Sequence, residues 1–119
     1  MKTSKKDFAL FKKECQKWIE FFGIKSFEVL FDHSDYLQNN KASCTSHSVN
    51  RWATLRLNIT WDDYWELTEK NIKRCAFHEV GELLLAPLVN CAESRYVSEN
   101  ELEEQTHIVI RTLENVVFK

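Results

Sequence analysis

The stretch CAFHEVGELLLAPL, Cys75 to Leu88, decides how this chain is read. Phe77, Val80, Leu83, Leu84, Leu85, Ala86 and Leu88 cover most directions around a helix of 3.6 residues per turn, so the helix should be largely buried. His78 and Glu82 stand four residues apart and share one side of it, with Glu79 adjacent. Carboxylates at such a surface are costly unless they find hydrogen bonds, a cation or a water-filled cleft. The pattern is that of HExxH with its second His replaced by Glu. Two side chains at this spacing on a rigid helix supply two metal ligands in fixed geometry, and the intervening Glu can take a proton from water on the metal. Taken alone, HExxE is also an ordinary composition for a solvated helix face.

Outward from this helix the pattern changes period. Thr68 can cap its start, while Pro87, which lacks an N–H, predicts an end or a kink at Ala86. Trp61 to Trp65 reads as a short helical turn. Before it, in Arg51 to Ile59, Ala53, Leu55, Leu57 and Ile59 alternate with Trp52, Thr54, Arg56 and Asn58, the period of a sheet with one covered face. Ala42 to His47 pairs antiparallel with that segment around Ser48, Val49 and Asn50. Phe27 to Phe31 gives a further short strand and Asp32 to Asn40 a polar loop. At the N-terminal end, Ser4 and Asp7 cap a helix whose Phe8, Phe11, Cys15, Trp18, Ile19 and Phe22 make an aromatic stripe up to Gly23. The last helix opens on the capping box Ser98 and Glu101 and runs to about Val117, with Leu102, Thr106, Val109, Leu113 and Val116 as its core stripe. The expected fold is α+β: an N-terminal helix, a small three-stranded sheet, a long central helix and a C-terminal helix.

Composition bounds the rest. A chain of 119 residues, 44% hydrophobic and 13% aromatic, has material for one core, so residues 1–119 should form a single domain. With 2 Gly and 1 Pro and no low-complexity stretch, no linker is expected. The formal charge of -2 argues against sequence-independent nucleic-acid binding, which needs a basic surface. Neither a signal-peptide core nor a run of membrane-spanning length is present, so a cytoplasmic location is expected. Cys15, Cys44, Cys75 and Cys91 form no CxxC pair and read as reduced thiols.

The central segment resembles small phage-encoded zincin-like proteins, in which a similar helix reads HExxHLLLAPL and a later helix carries a Glu pair before an Arg-containing, Leu-Glu-rich end. Here the matching pieces are His78 to Leu88, Glu103 and Glu104, and Arg111 to Val117, with Ala42 to Ile59 where such proteins have sheet strands. The resemblance implies a minimal gluzincin: zinc held by His78, by the residue at position 82 and by a Glu of the last helix, with Glu79 as general base. Helix phase favours Glu103 over Glu104 for the third ligand, since Glu103 borders the apolar stripe. His107, one turn further on, is an extra ligand, an outer partner or a partly exposed residue; Cys75 is a soft ligand or, more ordinarily, a small buried hydrophobe. His33 and His47 have no ligand-like spacing. Because Glu82 replaces an imidazole, the metal would be less electropositive and would acidify water less. The expectation is therefore a diverged metallopeptidase-fold protein with a zinc site, weak or lost hydrolase activity and a peptide or protein substrate. The alternative is a catalytically silent phage or host-interacting binding protein on the same fold, which would act in the host cytoplasm.

Overall fold

The computed structural model describes residues 1–35, 41–47, 49–62, 64, 66–94 and 96–118. The expected loop at 36–40, the turn residue 48 and positions 63 and 65 of the expected helical turn lie outside the described residues. The fold is α+β: helix α1 (Lys5–Phe22), strands β1 (Glu28–His33), β2 (Ala42–His47) and β3 (Trp52–Leu57), then helices α2 (Glu69–Glu93) and α3 (Glu99–Val117).

Local chemistry explains each boundary. Ser4 and Asp7 close a reciprocal capping box, with the Asp7 N–H donating to Ser4 Oγ at 3.1 Å and the Ser4 N–H to Asp7 Oδ2 at 2.8 Å. Gly23 ends α1 in the left-handed conformation, φ 67°, and its N–H reaches back to the carbonyls of Ile19 and Glu20. Thr68 caps α2 by accepting from the Asn71 N–H at 3.2 Å. At the start of α3 only half of the expected box forms: Ser98 Oγ accepts from the Glu101 N–H.

Strand order is β1-β3-β2, with β1 parallel and β2 antiparallel to β3. Ala53, Leu55 and Leu57 are fully buried on the inner face of β3, as their alternation predicts. The alternation stops there, because Asn58 is buried as well: its N–H donates to the Lys41 carbonyl, and its own carbonyl accepts from Thr3 Oγ1. β1 runs two residues beyond the expected strand. Asp32 stays in the ladder because its carboxylate accepts from Arg56 Nε at 2.6 Å, and His33 because it stacks on Phe8 and shares a 2.7 Å hydrogen bond with Thr3.

The core lies between the sheet and α1 and α2, where Phe11, Cys15, Leu55, Leu57, Trp61, Ile72, Ala76 and Val80 meet. Each such side chain contributes roughly 1.5–3 kcal/mol when fully buried, less for the small ones. Trp61 joins this core from an irregular segment; neither it nor Asp62 is helical. Two expectations for the helices are corrected. Pro87 lies inside α2, which continues six residues further to Glu93 despite the lost N–H. α3 packs on α2, and this packing supports the helix beyond the proline. α3 has no buried residue: it rests on α2 with a lesser contact to α1, and its half-buried stripe is Gln105, Val109, Thr112 and Val116. Leu102, Thr106 and Leu113, expected in the core, stay exposed because no sheet lies beneath this helix.

Candidate metal centre

α2 carries the candidate site on its middle turns. A four-residue spacing puts His78 and Glu82 on the exposed side, and Glu79, one position round, turns inward until only 6% exposed. One ligand atom from each of the three lies within 4.8 Å of the others, so this cluster can hold a metal ion. The Glu79 and Glu82 carboxyl oxygens come within 4.8 Å of each other, so a proton on one can form a hydrogen bond with the other. Burial first, then that hydrogen bond and the charge of Glu82, push the Glu79 carboxyl up to about 9. Near neutral pH the pair therefore retains one proton between two carboxyl groups. A divalent cation is the other way to neutralise two carboxylates at this spacing, so the donor set fits a metal.

Three thiols stand close enough to Glu79 to feel its charge: Cys15 from α1, Cys44 from β2 and Cys75 from α2. Burial, and next to it the Glu79 charge, pushes Cys75 up to about 11 and Cys44 up to about 12, and raises Cys15 further. All four cysteines are free thiols. These three remain protonated and apolar in character, and among the described residues Cys75 is not in the ligand cluster.

The cluster opens into a cleft of about 1130 Å³ between α1, β2 and the first half of α2. Trp18, Ala42, Phe77 and Leu85 supply apolar wall, and five cationic side chains, Lys17, Lys41, Lys70, Lys73 and Arg74, surround it. Glu69 also lines the cleft, and so does Glu14. Glu14 is 8% exposed and pairs with Lys17 at 3.0 Å. Its position three residues after Phe11 and four before Trp18 placed an acid within the apolar stripe of α1, a signal the stripe reading passed over.

Glu103 is not brought to this site. It sits on α3 with a side chain 67% exposed, its carboxylate 3.7 Å from His107 Nε2, and no α3 residue is among the described residues lining the cleft. Glu104 is exposed on the same helix and is likewise outside the cluster. The physical reason is the width of the apolar surface on α2: α3 covers one side, while His78 and Glu82 look out on another, toward α1 and β2. β3 is the central strand, and the edge bordering the cleft belongs to β2 through Lys41 and Ala42. His47 stacks on Trp52 at 4.0 Å on the opposite face of the sheet, and among the described residues no helix is long and apolar enough to cross a membrane.

No protein-family model matches the chain, and neither a curated protein nor a solved structure matches it.

Proposed function

We propose that this protein is a diverged zincin-like domain that binds a divalent metal, zinc foremost, at His78, Glu79 and Glu82, with weak or lost hydrolase activity on a peptide substrate. The observation that carries this reading is the convergence of the three ligand atoms at the wall of a cleft of about 1130 Å³. When bound, zinc supplies Lewis acidity toward a carbonyl or a water. His78 contributes the one neutral donor, and Glu82 binds from the next turn. Glu79 has two competing tasks: a carboxyl committed to Glu82 or to the metal is not free to take a proton from a nucleophile. That competition supports low activity, and equally a second reading in which the cleft binds a partner without cleaving it.

Metal titration tests the site. Zinc should bind one-to-one by calorimetry, His78→Ala should abolish binding, and Glu82→His should tighten it about tenfold or more by restoring an imidazole. Unchanged affinity in both variants would remove position 78 and position 82 from the metal. A peptide-library assay with zinc should show little turnover by the natural protein. Robust cleavage that disappears in Glu79→Gln would make it a working hydrolase instead.

A further inference from the structure

The first half of α2 carries a stripe that the metal does not use and that the fold uses only at Phe77, whose ring packs on Trp18 and Phe22. Lys70, Lys73, Phe77, Gly81 and Leu85 follow one another at spacings of three and four and all line the cleft. Three of its features run against what a helix needs for itself. Lys70 and Lys73 sit on the first turns, where the helix dipole is positive and disfavours cations, and among the described residues neither has a carboxylate partner. Phe77 and Leu85 remain 47% and 40% exposed although apolar, with the Phe77 ring held edge-on against Trp18 at a centroid distance of 5.0 Å. Between them stands Gly81, a poor helix former; a Cβ there would meet nothing within 4 Å, so no packing within the fold requires glycine. A notch between two exposed apolar side chains, facing a cleft, suits a backbone that must come close.

We propose that the cleft takes an acidic peptide in extended conformation, its carboxylates on Lys70 and Lys73, its backbone over Gly81 and its apolar side chains against Phe77 and Leu85. This deepens the metal-site reading and rests on it for the middle of the path, where the chain passes the His78 cluster. From Lys70 to Leu85 the helix rises about 22 Å, the length of six to seven extended residues. The chain as a whole is net negative and Glu69 lines the same mouth, so general electrostatics would repel such a ligand; the attraction is local to the ammonium groups of Lys70 and Lys73. A peptide is favoured over a simple anion because the apolar wall and the notch would serve no purpose for the latter.

The test uses fluorescence anisotropy with zinc-loaded protein and three labelled hexapeptides: one with two acidic residues at one end and two apolar residues at the other, one with lysines for the acids, and one with serines for the apolar pair. The first should bind at least tenfold more tightly than either control. Lys70→Glu combined with Lys73→Glu should erase the preference over the lysine peptide. Gly81→Leu should weaken the acidic peptide tenfold or more with no fall in melting temperature, the opposite of what a glycine needed for packing would give. Equal affinity for all three peptides, no binding by any, or wild-type binding by Gly81→Leu overturns the proposal. So does equal binding of the serine peptide with full displacement by millimolar inorganic phosphate, which would define an anion site only. Calorimetry with zinc on the same samples keeps the two readings apart: failure to bind zinc rejects the metal site, whereas the peptide path is judged by the Lys and Gly variants.

Discussion

Glu79 is where burial, charge and chemistry meet in one side chain. Its unfolded carboxyl titrates near 4.5, and in the folded protein it is pushed up to about 9 by burial and by Glu82. Between those values the native state holds a proton that the unfolded chain would release, so in metal-free protein stability should fall as pH rises from about 5 to 9. Below about 4.5 both states are protonated and this group adds no slope. Glu79→Gln keeps a donor for Glu82 but cannot ionise, so it should flatten the slope and be more stable than the natural protein at pH 8. Urea midpoints measured with chelator across that pH range decide the matter; parallel profiles for the two proteins would show that Glu79 is not the group responsible. His78, Glu79 and Glu82 were legible in the sequence because all three lie on one helix, whose period fixes their mutual placement. Glu103 was not, because its distance from His78 depends on how two helices pack, and helix phase gives the apolar side of α3 without saying which side of α2 receives it.

At the scale of elements, the parts governed by local rules were the ones the sequence made plain. The Ser4–Asp7 box, Gly23 and the Ala53, Leu55, Leu57 alternation each follow from contacts within a few residues or from one buried face. The parallel pairing of β1 with β3 was not legible, since it joins residues more than twenty positions apart. Pro87 shows tertiary contact overriding a local rule: a proline in a helix interior removes a hydrogen bond and crowds the preceding turn, at a cost of about 3 kcal/mol. α2 nevertheless continues, with α3 packed on it. Pro87→Ala should therefore stabilise the protein, by about 1–3 kcal/mol in denaturant unfolding. A loss of stability would instead mean that the proline sets the course of α2 on which α3 is seated.

The whole molecule is less compact than its length requires. Its radius of gyration is 15.5 Å and its extents are 46 × 35 × 25 Å, against about 13.5 Å for the radius of a compact chain of this size. The asymmetry has a structural source: the sheet, α1 and the first half of α2 share the fully buried side chains, whereas α3 contributes none. On α3, Ile110 and Leu113 are 43% and 42% exposed and Val117 is 70% exposed, so what holds this helix is one half-buried stripe on α2. A helix of 19 residues gains little from propensity alone and depends on such packing. Opening of α3 should then cost less free energy than opening of the core, because few buried apolar contacts are broken. Native-state hydrogen exchange at low denaturant should show the amides of Thr106 to Val116 exchanging through a sub-global opening, while those of Leu55, Leu57 and Val80 exchange only with global unfolding. The cleft is lined from α1, β2 and α2, so the zinc affinity of a variant with α3 loosened by Val109→Ala should match that of the natural protein. If the amides of α3 and β3 instead exchanged with one common free energy, α3 would be an integral part of the cooperative core, and the one-sided packing would understate what holds it.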